Sequence, residues 1–222
     1  MAITTDEKLR VARERMVQHL LIRRGIQDER VLGAMSRIER HRFVDASHLE
    51  RAYGPYALPI GHGQKTPHPH VVGTMAEVLC LRGHERVLEI GSGCGYQTAV
   101  LASLAREVYS LECIPALQQT AERNVRAAGF DNVRFAARTT LRWQDAAPFD
   151  AIHASAAVPE VPGVLLAQLA PFGRMVIPVG RAPHQRLMVL VREQQQVTSS
   201  SLGACRFEPV VGPLQTSGRP GQ

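Results

Sequence analysis

The sequence predicts an α/β protein with a doubly wound, mostly parallel sheet and an N-terminal helical cap. Three observations support this prediction. Segments of strand and helix character alternate from residue 71 onward, a glycine-rich turn follows the first of these strands, and Glu112 stands at the end of the next strand. Strands that alternate with helices indicate a parallel sheet with helices on both faces.

The first 50 residues predict helices. Thr4 and Glu7 have the spacing of a capping box, which marks the start of a helix. Gly25 is a typical helix stop, and Asp28 is a typical cap for a second helix. These helices form the first part of the predicted cap.

Residues 52–70 differ in character from the helices before them. The segment is rich in proline and glycine and has no periodic pattern of apolar residues. A long loop of this kind inside a compact domain is usually functional. We therefore expect the segment to complete the cap and to contribute to a site.

From residue 71 onward, short apolar runs predict strands and segments of helical periodicity predict helices. The predicted strands are residues 86–90, 108–112, 133–136, 149–154, 175–179 and 187–191. The predicted helices are residues 71–81, 98–104, 115–128 and 164–169. We accordingly divide the chain into a cap (1–70), an α/β domain (71–215) and a polar tail (216–222).

Composition excludes several classes of protein. The chain has 222 residues, of which 45% are hydrophobic, and a net charge of +6. The apolar fraction excludes a disordered chain, and no apolar run reaches the roughly 18 residues that a transmembrane helix needs. Arginines are scattered among acidic residues without interleaved aromatics, so we expect no nucleic-acid partner. The first thirty residues lack the apolar block of a signal peptide, which predicts a cytoplasmic protein without a membrane partner.

Cysteine spacing argues against a metal or disulfide framework. The four cysteines are Cys80, Cys94, Cys113 and Cys205, and none belongs to a C-x-x-C pair. We therefore expect no metal site, and a disulfide framework is not expected in a chain without a secretion signal.

The most informative segment is a strand followed by a glycine-rich turn and a helix. The turn contains Gly91, Gly93 and Gly95 and is preceded by Glu89. Glycines let the backbone approach a ligand closely, and the start of the helix offers free N–H donors. Glu112 lies at about the interval at which a carboxylate accepts hydrogen bonds from a ribose in such folds. The pattern predicts a nucleoside site at the carboxyl edge of the first two strands.

The spacing of this turn narrows the choice of nucleoside. It is G-x-G-x-G rather than the G-x-G-x-x-G of dinucleotide sites. Glu89, just before the turn, suits a cationic or amine-bearing ligand better than a pyrophosphate. S-adenosyl-L-methionine carries a sulfonium, an ammonium and a ribose but no phosphate. The segment resembles the signature of class I methyltransferases, which implies a Rossmann-like fold and this cofactor.

A resemblance to one family extends over nearly the whole chain, from about residue 9 to 214. The segments AYGPYALPIGHGQ, VLEIGSGCGYQTAVLA, APFDAI, IPVG and RFEPVVGPL occur in order. They resemble the protein-L-isoaspartate (D-aspartate) O-methyltransferase family. The resemblance implies an S-adenosylmethionine-binding methyltransferase domain beneath a cap, with damaged proteins or peptides that contain isoaspartyl residues as substrates. It implies methylation of the misplaced carboxylate, whose ester then collapses to a succinimide. We expect a monomer.

The resemblance also implies two groups of site residues. The expected cofactor-binding residues are Glu89, Gly91, Ser92, Gly93, Gly95, Glu112 and Arg138. The expected catalytic and substrate residues are Gln64, Lys65 and Thr66. A substrate carboxylate has a pKa of roughly 4 and is ionised at neutral pH, so methyl transfer needs no general base. The enzyme acts mainly by proximity and orientation.

The sequence departs from the family pattern at several positions. The loop serine usually assigned to catalysis aligns with Pro67, and the threonine two residues before it aligns with Lys65. The acid that follows the third strand aligns with Arg138, and that of the A-[YW]-D segment aligns with Gly54. These departures predict reduced or redirected activity. Two alternatives therefore stay open, namely methylation of another carboxylate and a non-catalytic cofactor-binding scaffold.

Two residues have alternative roles in this frame. Trp143 either packs in the core or contacts the adenine, and the core is favoured. His153, at the end of the fourth predicted strand, either faces the ligand cleft or is structural.

Overall fold

A seven-stranded sheet forms the centre of the computed structural model, which describes residues 4–143 and 145–210. The strands of this sheet, in chain order, are β3 (Arg86–Ile90), β4 (Glu107–Glu112), β5 (Val133–Ala137), β6 (Phe149–Ala154), β7 (Leu169–Val179), β8 (Gln185–Glu193) and β9 (Gln196–Cys205). A separate hairpin consists of β1 (Leu58–Gly61) and β2 (Gln64–Thr66). The α-helices are α1 (Thr5–Met16), α2 (Glu29–Arg37), α3 (Pro69–Glu77), α4 (Tyr96–Leu104), α5 (Pro115–Ala127) and α6 (Gly163–Gln168).

The strand order confirms the predicted doubly wound, mostly parallel sheet. The order is β5-β4-β3-β6-β7-β8-β9, and the first five of these strands are parallel. The chain builds outward from β3 in one direction and then returns to continue from β6 in the other. The carboxyl ends of β3 and β6 therefore form a topological switch point, where such sheets bind ligands.

The last strand, β9, is missing from the sequence prediction. It runs antiparallel to β8 at the edge of the sheet, and most of its residues are exposed. Its sequence is dominated by serine, threonine and glycine. Because neither of its faces is buried, it lacks the apolar alternation by which strands are recognised.

Helices cover both faces of the sheet. On one face, α4 is buried along almost its whole length and packs between the sheet and the N-terminal helices. Val125 of α5 belongs to the same apolar cluster. On the other face, Leu165 of α6 packs in one cluster with Leu88 and Ile152 of the central strands. Burial on both faces explains why the central strands read as continuous apolar runs.

The N-terminal helices begin and end where the sequence predicts. The Thr4 side chain accepts a hydrogen bond from the N–H of Glu7 (3.3 Å), and Asp28 caps α2. Gly25 has a φ of 99°, the left-handed conformation that ends a helix. The N–H of Asp28 also donates to Glu77 of α3 (2.7 Å), which ties the two helices together.

The predicted loop of residues 52–70 contains the β1–β2 hairpin. Its two turn residues, His62 and Gly63, have φ values of 53° and 72°, as a tight hairpin turn requires. The two strands pair at only three positions, and a bulge between Pro59 and Gly61 interrupts the pairing. Strands this short, with proline and glycine in them, show no alternation of apolar residues. The hairpin is the part of the cap that reaches the site described below.

Arg40 connects this loop to the α/β domain. Its side chain is fully buried, and its guanidinium donates hydrogen bonds to the carbonyl oxygens of Ala52 and Pro67, the second at 2.9 Å. The same group lies 5.6 Å from the centroid of the Tyr96 ring, at the start of α4. Burial lowers the pKa of Arg40 below its usual range. One buried cation thus holds both ends of the loop against α4.

The fold does not test the predicted domain boundary or the predicted C-terminal tail. The predicted domain boundary at residue 70 stays a prediction, although one apolar cluster contains both Met16 and Val189. Residues 211–215 and the predicted tail, 216–222, lie outside the described residues. No helix in the described ranges is long and apolar enough to cross a membrane.

We predict that Arg40→Met loosens the loop while leaving the sheet intact. Methionine fills a similar volume but donates no hydrogen bonds to the loop carbonyls, each worth about 1 kcal/mol. Amide hydrogen exchange in residues 52–67 should accelerate at least about tenfold, since local opening then costs less free energy. Exchange in β3 and β4 should not change.

Arg51→Met is the matched control. Arg51 is exposed in the same region and stacks on Tyr56, 4.7 Å from the ring centroid. Its replacement should change exchange in residues 52–67 by less than about threefold, because an exposed contact of this kind contributes little. Equal acceleration in both variants would contradict the role given to Arg40.

Candidate functional site

The glycine loop, residues 91–95, lies at the carboxyl end of β3 and leads into α4. Gly91, Gly93 and Gly95 all adopt positive φ values, of 89°, 56° and 88°. The N–H of Gly91 donates to the carbonyl of Leu111 (2.7 Å) and so ties the loop to β4. The loop thereby places open backbone at the switch point of the sheet.

Gly95 has a packing role. A Cβ atom there would lie 2.9 Å from the carbonyl oxygen of Ala121 and 2.9 Å from Cγ2 of Val125, both in α5. Glycine therefore lets α4 and α5 approach each other. The residue is not part of the cavity wall described below, so its expected contact with a cofactor stays a prediction, while its close packing against α5 is what the structure shows.

Glu112 ends β4 with its carboxylate held in a fixed orientation. Oε2 accepts a hydrogen bond from the N–H of Gly93 (3.0 Å). Oε1 accepts from the N–H groups of Cys113 (2.9 Å) and Ile114 (3.0 Å). Oε1 also accepts from the Cys113 thiol (3.4 Å), so the acceptor capacity that remains for a ligand hydroxyl is on Oε2.

A cavity lies between the strand ends and the hairpin. Its wall contains eight of the ten predicted site residues: Gln64, Lys65, Thr66, Gly91, Ser92, Gly93, Glu112 and Arg138. Several other residues of the wall lie outside the predicted site: Ile60, Gln97, Ile114, Leu117, Ser155 and Val210. Two of them could be predicted from their positions in the sequence. Ile114 and Ser155 closely follow parallel strands, and the carboxyl ends of such strands share one edge of the sheet.

The segment that includes Pro209 and Val210 reaches the cavity through Ala157. The N–H of Ala157 donates to the carbonyl of Glu208, and the N–H of Val210 donates to the carbonyl of Ala157, both at 2.9 Å. Nothing local in the sequence indicates this contact, because it joins positions far apart in the chain.

Glu89 lies below the glycine loop and is not on the cavity wall. Alternation along β3 places it on the face covered by α4, where it is fully buried. Its Oε2 accepts hydrogen bonds from Ser110 (2.6 Å) and Thr98 (2.7 Å), and the Ser110 hydroxyl also contacts that of Ser92. Burial raises the pKa of Glu89 to about 7. Its expected contact with the cofactor stays a prediction, and in the structure Glu89 is linked through Ser110 to Ser92 on the cavity wall.

His153 is the neighbour of Glu89 across the sheet. The two are paired in the register of β3 and β6, and both face α4. His153 is fully buried, and neither ring nitrogen has a hydrogen-bond partner. Burial lowers the pKa of His153 to about 3, so the ring is neutral. The residue is not on the cavity wall, and the structural alternative is the correct one.

Arg138 borders the cavity without being buried in it. The side chain is exposed, and its guanidinium lies 5.8 Å from the ring centroid of Trp143. Trp143 in turn packs edge-on against Tyr109, with 5.1 Å between centroids, and does not line the cavity. The core role predicted for Trp143 is therefore confirmed.

The hairpin side of the cavity carries polar and charged groups. Lys65 Nζ lies 3.7 Å from a carboxylate oxygen of Glu208. Thr66 is 4% exposed and shares the wall with Cys94, and burial raises the pKa of the Cys94 thiol. Pro67 has no side-chain donor, and its carbonyl is bound by Arg40.

The wall has the chemistry of a nucleoside site joined to a second, polar site. Ile114 and Leu117 provide an apolar surface next to the fixed carboxylate of Glu112, as a base and a ribose require. Gly91 and Gly93 leave room at the strand end, and the hairpin closes the opposite side. Among the described residues, no group of histidine, cysteine or acidic side chains could hold a metal ion.

Comparisons with known proteins agree with this arrangement. The profile of the family "Protein-L-isoaspartate(D-aspartate) O-methyltransferase (PCMT)" matches residues 11–215. The protein-L-isoaspartate O-methyltransferase of Myxococcus xanthus is 50% identical over 199 residues, which cover 86% of this chain and 93% of that protein. Protein-L-isoaspartate O-methyltransferase 1 of Syntrophobacter fumaroxidans is 45% identical over 202 residues, which cover 90% and 94%.

The fold is similar to that of a solved structure from Plasmodium falciparum. That structure is described as a putative protein-L-isoaspartate O-methyltransferase in complex with S-adenosyl-L-homocysteine. The TM-score is 0.76 with 23% sequence identity, and the match covers 89% of this chain and 97% of that chain.

We predict that Gly95→Ala destabilises the protein more than Gly129→Ala does. Both glycines have nearly the same φ, 88° and 87°, so the backbone strain of alanine is equal and costs about 1 kcal/mol in each. At Gly129 nothing lies within 4 Å of the added Cβ, whereas Gly95 is crowded by α5. Overpacking should lower the free energy of unfolding of Gly95→Ala by about 1–3 kcal/mol more.

Chemical denaturation of the two variants and the parent protein measures this difference. Gly129→Ala serves as the control for backbone strain alone. Equal losses of stability in the two variants would show that the approach of α5 does not require a glycine at residue 95.

We predict that His153→Val stabilises the protein, and increasingly so at acid pH. At pH 7 it removes two unpartnered ring nitrogens, which is worth about 1–3 kcal/mol. The folded pKa near 3 lies below the unfolded value of 6.5, so between these values the unfolded state binds more protons. Folding stability is therefore lost as pH falls below about 6.5, and valine abolishes that loss, which reaches about 3 kcal/mol at pH 4.

Urea unfolding of both proteins from pH 7 to 4 measures the gain. Glu89, whose folded pKa is raised, is present in both proteins and cancels in the difference. His184→Val, at an exposed position, is the control and should show little gain. A gain independent of pH would contradict the buried neutral state of His153.

Proposed function

Because this chain belongs to the protein-L-isoaspartate(D-aspartate) O-methyltransferase family, it is an S-adenosylmethionine-dependent methyltransferase, and we propose that the cavity at the strand ends binds both the cofactor and the isoaspartyl carboxylate. The observation that carries this proposal is the convergence of the glycine loop, Glu112 and the hairpin on one cavity wall. A surface suited to a nucleoside and the polar surface of the hairpin thus face the same cavity.

The cofactor half of the cavity comprises the glycine loop and the end of β4. Glu112 would accept hydrogen bonds from the ribose hydroxyls, because three backbone N–H groups already hold its carboxylate in place. Gly91, Ser92 and Gly93 would accommodate the methionine end. Arg138 would lie at the exposed rim beside the base.

S-adenosylmethionine, when bound, supplies an electrophilic methyl group attached to a sulfonium. A carboxylate oxygen of the substrate forms the new O–C bond while the C–S bond breaks and its electron pair stays on sulfur. No proton is transferred, so no residue of the chain acts as a base. The task of the chain is to align the carboxylate with the methyl group and to exclude water, for which proximity can supply up to about 7–11 kcal/mol.

The hairpin and its neighbours would hold the substrate peptide. Gln64 and Lys65 line the cavity with an amide and an ammonium, which suit peptide groups and a carboxylate. Thr66 carries the hydroxyl next to Pro67 in the chain, but the residue is almost fully buried and would support the hairpin rather than hold the substrate. The partner is accordingly an isoaspartyl protein or peptide, while the predicted monomeric state and cytoplasmic location stay predictions.

A titration and an assay test the proposal. The purified protein should bind S-adenosyl-L-homocysteine in calorimetry and should form a methyl ester on an isoaspartyl peptide. It should form none on the same peptide with ordinary aspartate. Cofactor binding without any ester would refute the assignment of the hairpin as a substrate site.

Glu112→Gln tests the cofactor half. The amide offers one acceptor oxygen in place of two and directs N–H groups toward the backbone donors or the ribose. Affinity for S-adenosyl-L-homocysteine should fall about 10–100-fold, the value of one or two hydrogen bonds to a charged group. Glu122→Gln, a carboxylate of α5 that binds Arg126, is the matched control and should change affinity less than about twofold. Unchanged affinity in Glu112→Gln would remove Glu112 from the site.

A further inference from the structure

Gln97 is a buried residue of the cavity wall that neither the sequence analysis nor the proposed function uses. It is the second residue of α4 and is 5% exposed. It shares the wall with Cys94, Thr66 and Pro67. Neither its amide nitrogen nor its amide oxygen has a hydrogen-bond partner.

A buried amide without partners carries a free-energy cost, so such groups usually have an explanation in a bound ligand or in function. Other buried side chains in the described part of the chain also have unpartnered atoms: Arg40, Glu89, Tyr96 and His153. None of these is on the cavity wall, whereas Gln97 is. The donor and the acceptor of its amide are thus unused by the protein but shielded from solvent, so a molecule in the cavity would meet them once the Gln97 side chain turns toward the wall.

The surroundings of Gln97 favour a negatively charged group. It lies in the first turn of a nine-residue helix whose cap, Gly95, contributes no side-chain hydrogen bond. The N–H groups of a first turn have no acceptor within the helix, and the helix dipole favours an anion there. The guanidinium of Arg40 stacks on Tyr96, the residue just before Gln97, and adds a buried positive charge.

The other side-chain donors at the hairpin end of the wall are more exposed than Gln97 or are absent. Gln64 is half-buried and Lys65 is exposed. Thr66 is buried but offers a single hydroxyl, and Pro67 has none. Lys65 is paired with Glu208. The Gln97 amide is thus a buried donor that no other described residue engages.

We propose that the side-chain amide of Gln97 binds the carboxylate that accepts the methyl group. Nε2 donates to one carboxylate oxygen and leaves the other directed at the methyl carbon. Oε1 accepts the N–H carried by the same carbon of the isoaspartyl residue. This inference rests on the proposed function and supplies the orienting donor that Pro67 lacks.

The methionine end of the cofactor also carries a carboxylate beside an N–H group, so the test must separate the two sources. We assign the substrate because Arg40 joins the carbonyl of Pro67, next to the hairpin, to Tyr96, the residue just before Gln97. The test therefore measures cofactor binding and substrate kinetics on the same variants.

Gln97→Met removes the amide with little change in shape. Its KM for an isoaspartyl peptide at saturating cofactor should rise about 10–100-fold, the fold-change expected for a lost hydrogen bond to a charged group. Gln97→Glu should raise KM further, because its carboxylate repels that of the substrate. The dissociation constant for S-adenosyl-L-homocysteine should stay within about twofold in Gln97→Met.

Thermal denaturation separates a binding role from a structural one. Because the Gln97 amide has no partners, Gln97→Met should keep or raise the melting temperature. Gln168 is an equally buried control whose amide is fully bonded, with Trp143, Leu141 and Val164 as its partners. Gln168→Met should lower the melting temperature by at least about 4 °C.

Three results would overturn the assignment. One is an unchanged KM in Gln97→Met. The second is a tenfold or greater loss of affinity for S-adenosyl-L-homocysteine in Gln97→Met, which would show that Gln97 binds the cofactor. The third is a loss of stability as large as that of Gln168→Met. Failure of the unmutated protein to methylate any isoaspartyl peptide would instead refute the proposed function, and with it the substrate assigned to Gln97.

Discussion

The relation between the two halves of the site depends on one buried cation. Arg40 has no accessible surface and binds loop carbonyls at both ends of the segment that carries the hairpin. A desolvated guanidinium must be satisfied by the groups around it, because an unsatisfied buried charge costs several kcal/mol. The loop therefore has few alternative positions. Stacking of Arg40 on Tyr96 extends this constraint to the first turn of α4 and so to the glycine loop.

The acidic residues near the strand ends differ in role because they differ in environment. Glu112 is held by three backbone N–H groups at the edge of the cavity, which fix the direction of its carboxylate. The position of Glu89 just before the glycine loop suggests direct ligand contact, but the residue is buried below the loop and its pKa is raised. Its carboxylate accepts hydrogen bonds from the hydroxyl groups of Ser110 and Thr98, and Ser110 connects it to Ser92 in the loop.

Most of the fold follows from local patterns in the sequence. The parallel strands are apolar runs, the helices around them have recognisable caps and stops, and the glycine turn is a local requirement for positive φ. Eight of ten predicted site residues meet at one cavity because parallel strands end at a common edge. The hairpin and β9 escaped prediction, since one is interrupted by proline and glycine and the other has no buried face.

The sequence by itself determined the alternation of parallel strands and helices, the meeting of the glycine loop and Glu112 at one sheet edge, and the resemblance to a methyltransferase family. These depend on periodicity and on spacing within short segments, which a linear pattern records. Tertiary structure alone decided that Arg40 meets Pro67, that Gly95 serves α5 and that the buried Gln97 amide has no partner in the protein. The first two contacts join residues distant in the chain, and the third feature depends on the absence of a hydrogen-bond partner around the amide. Both are decided only when the helices and strands pack together.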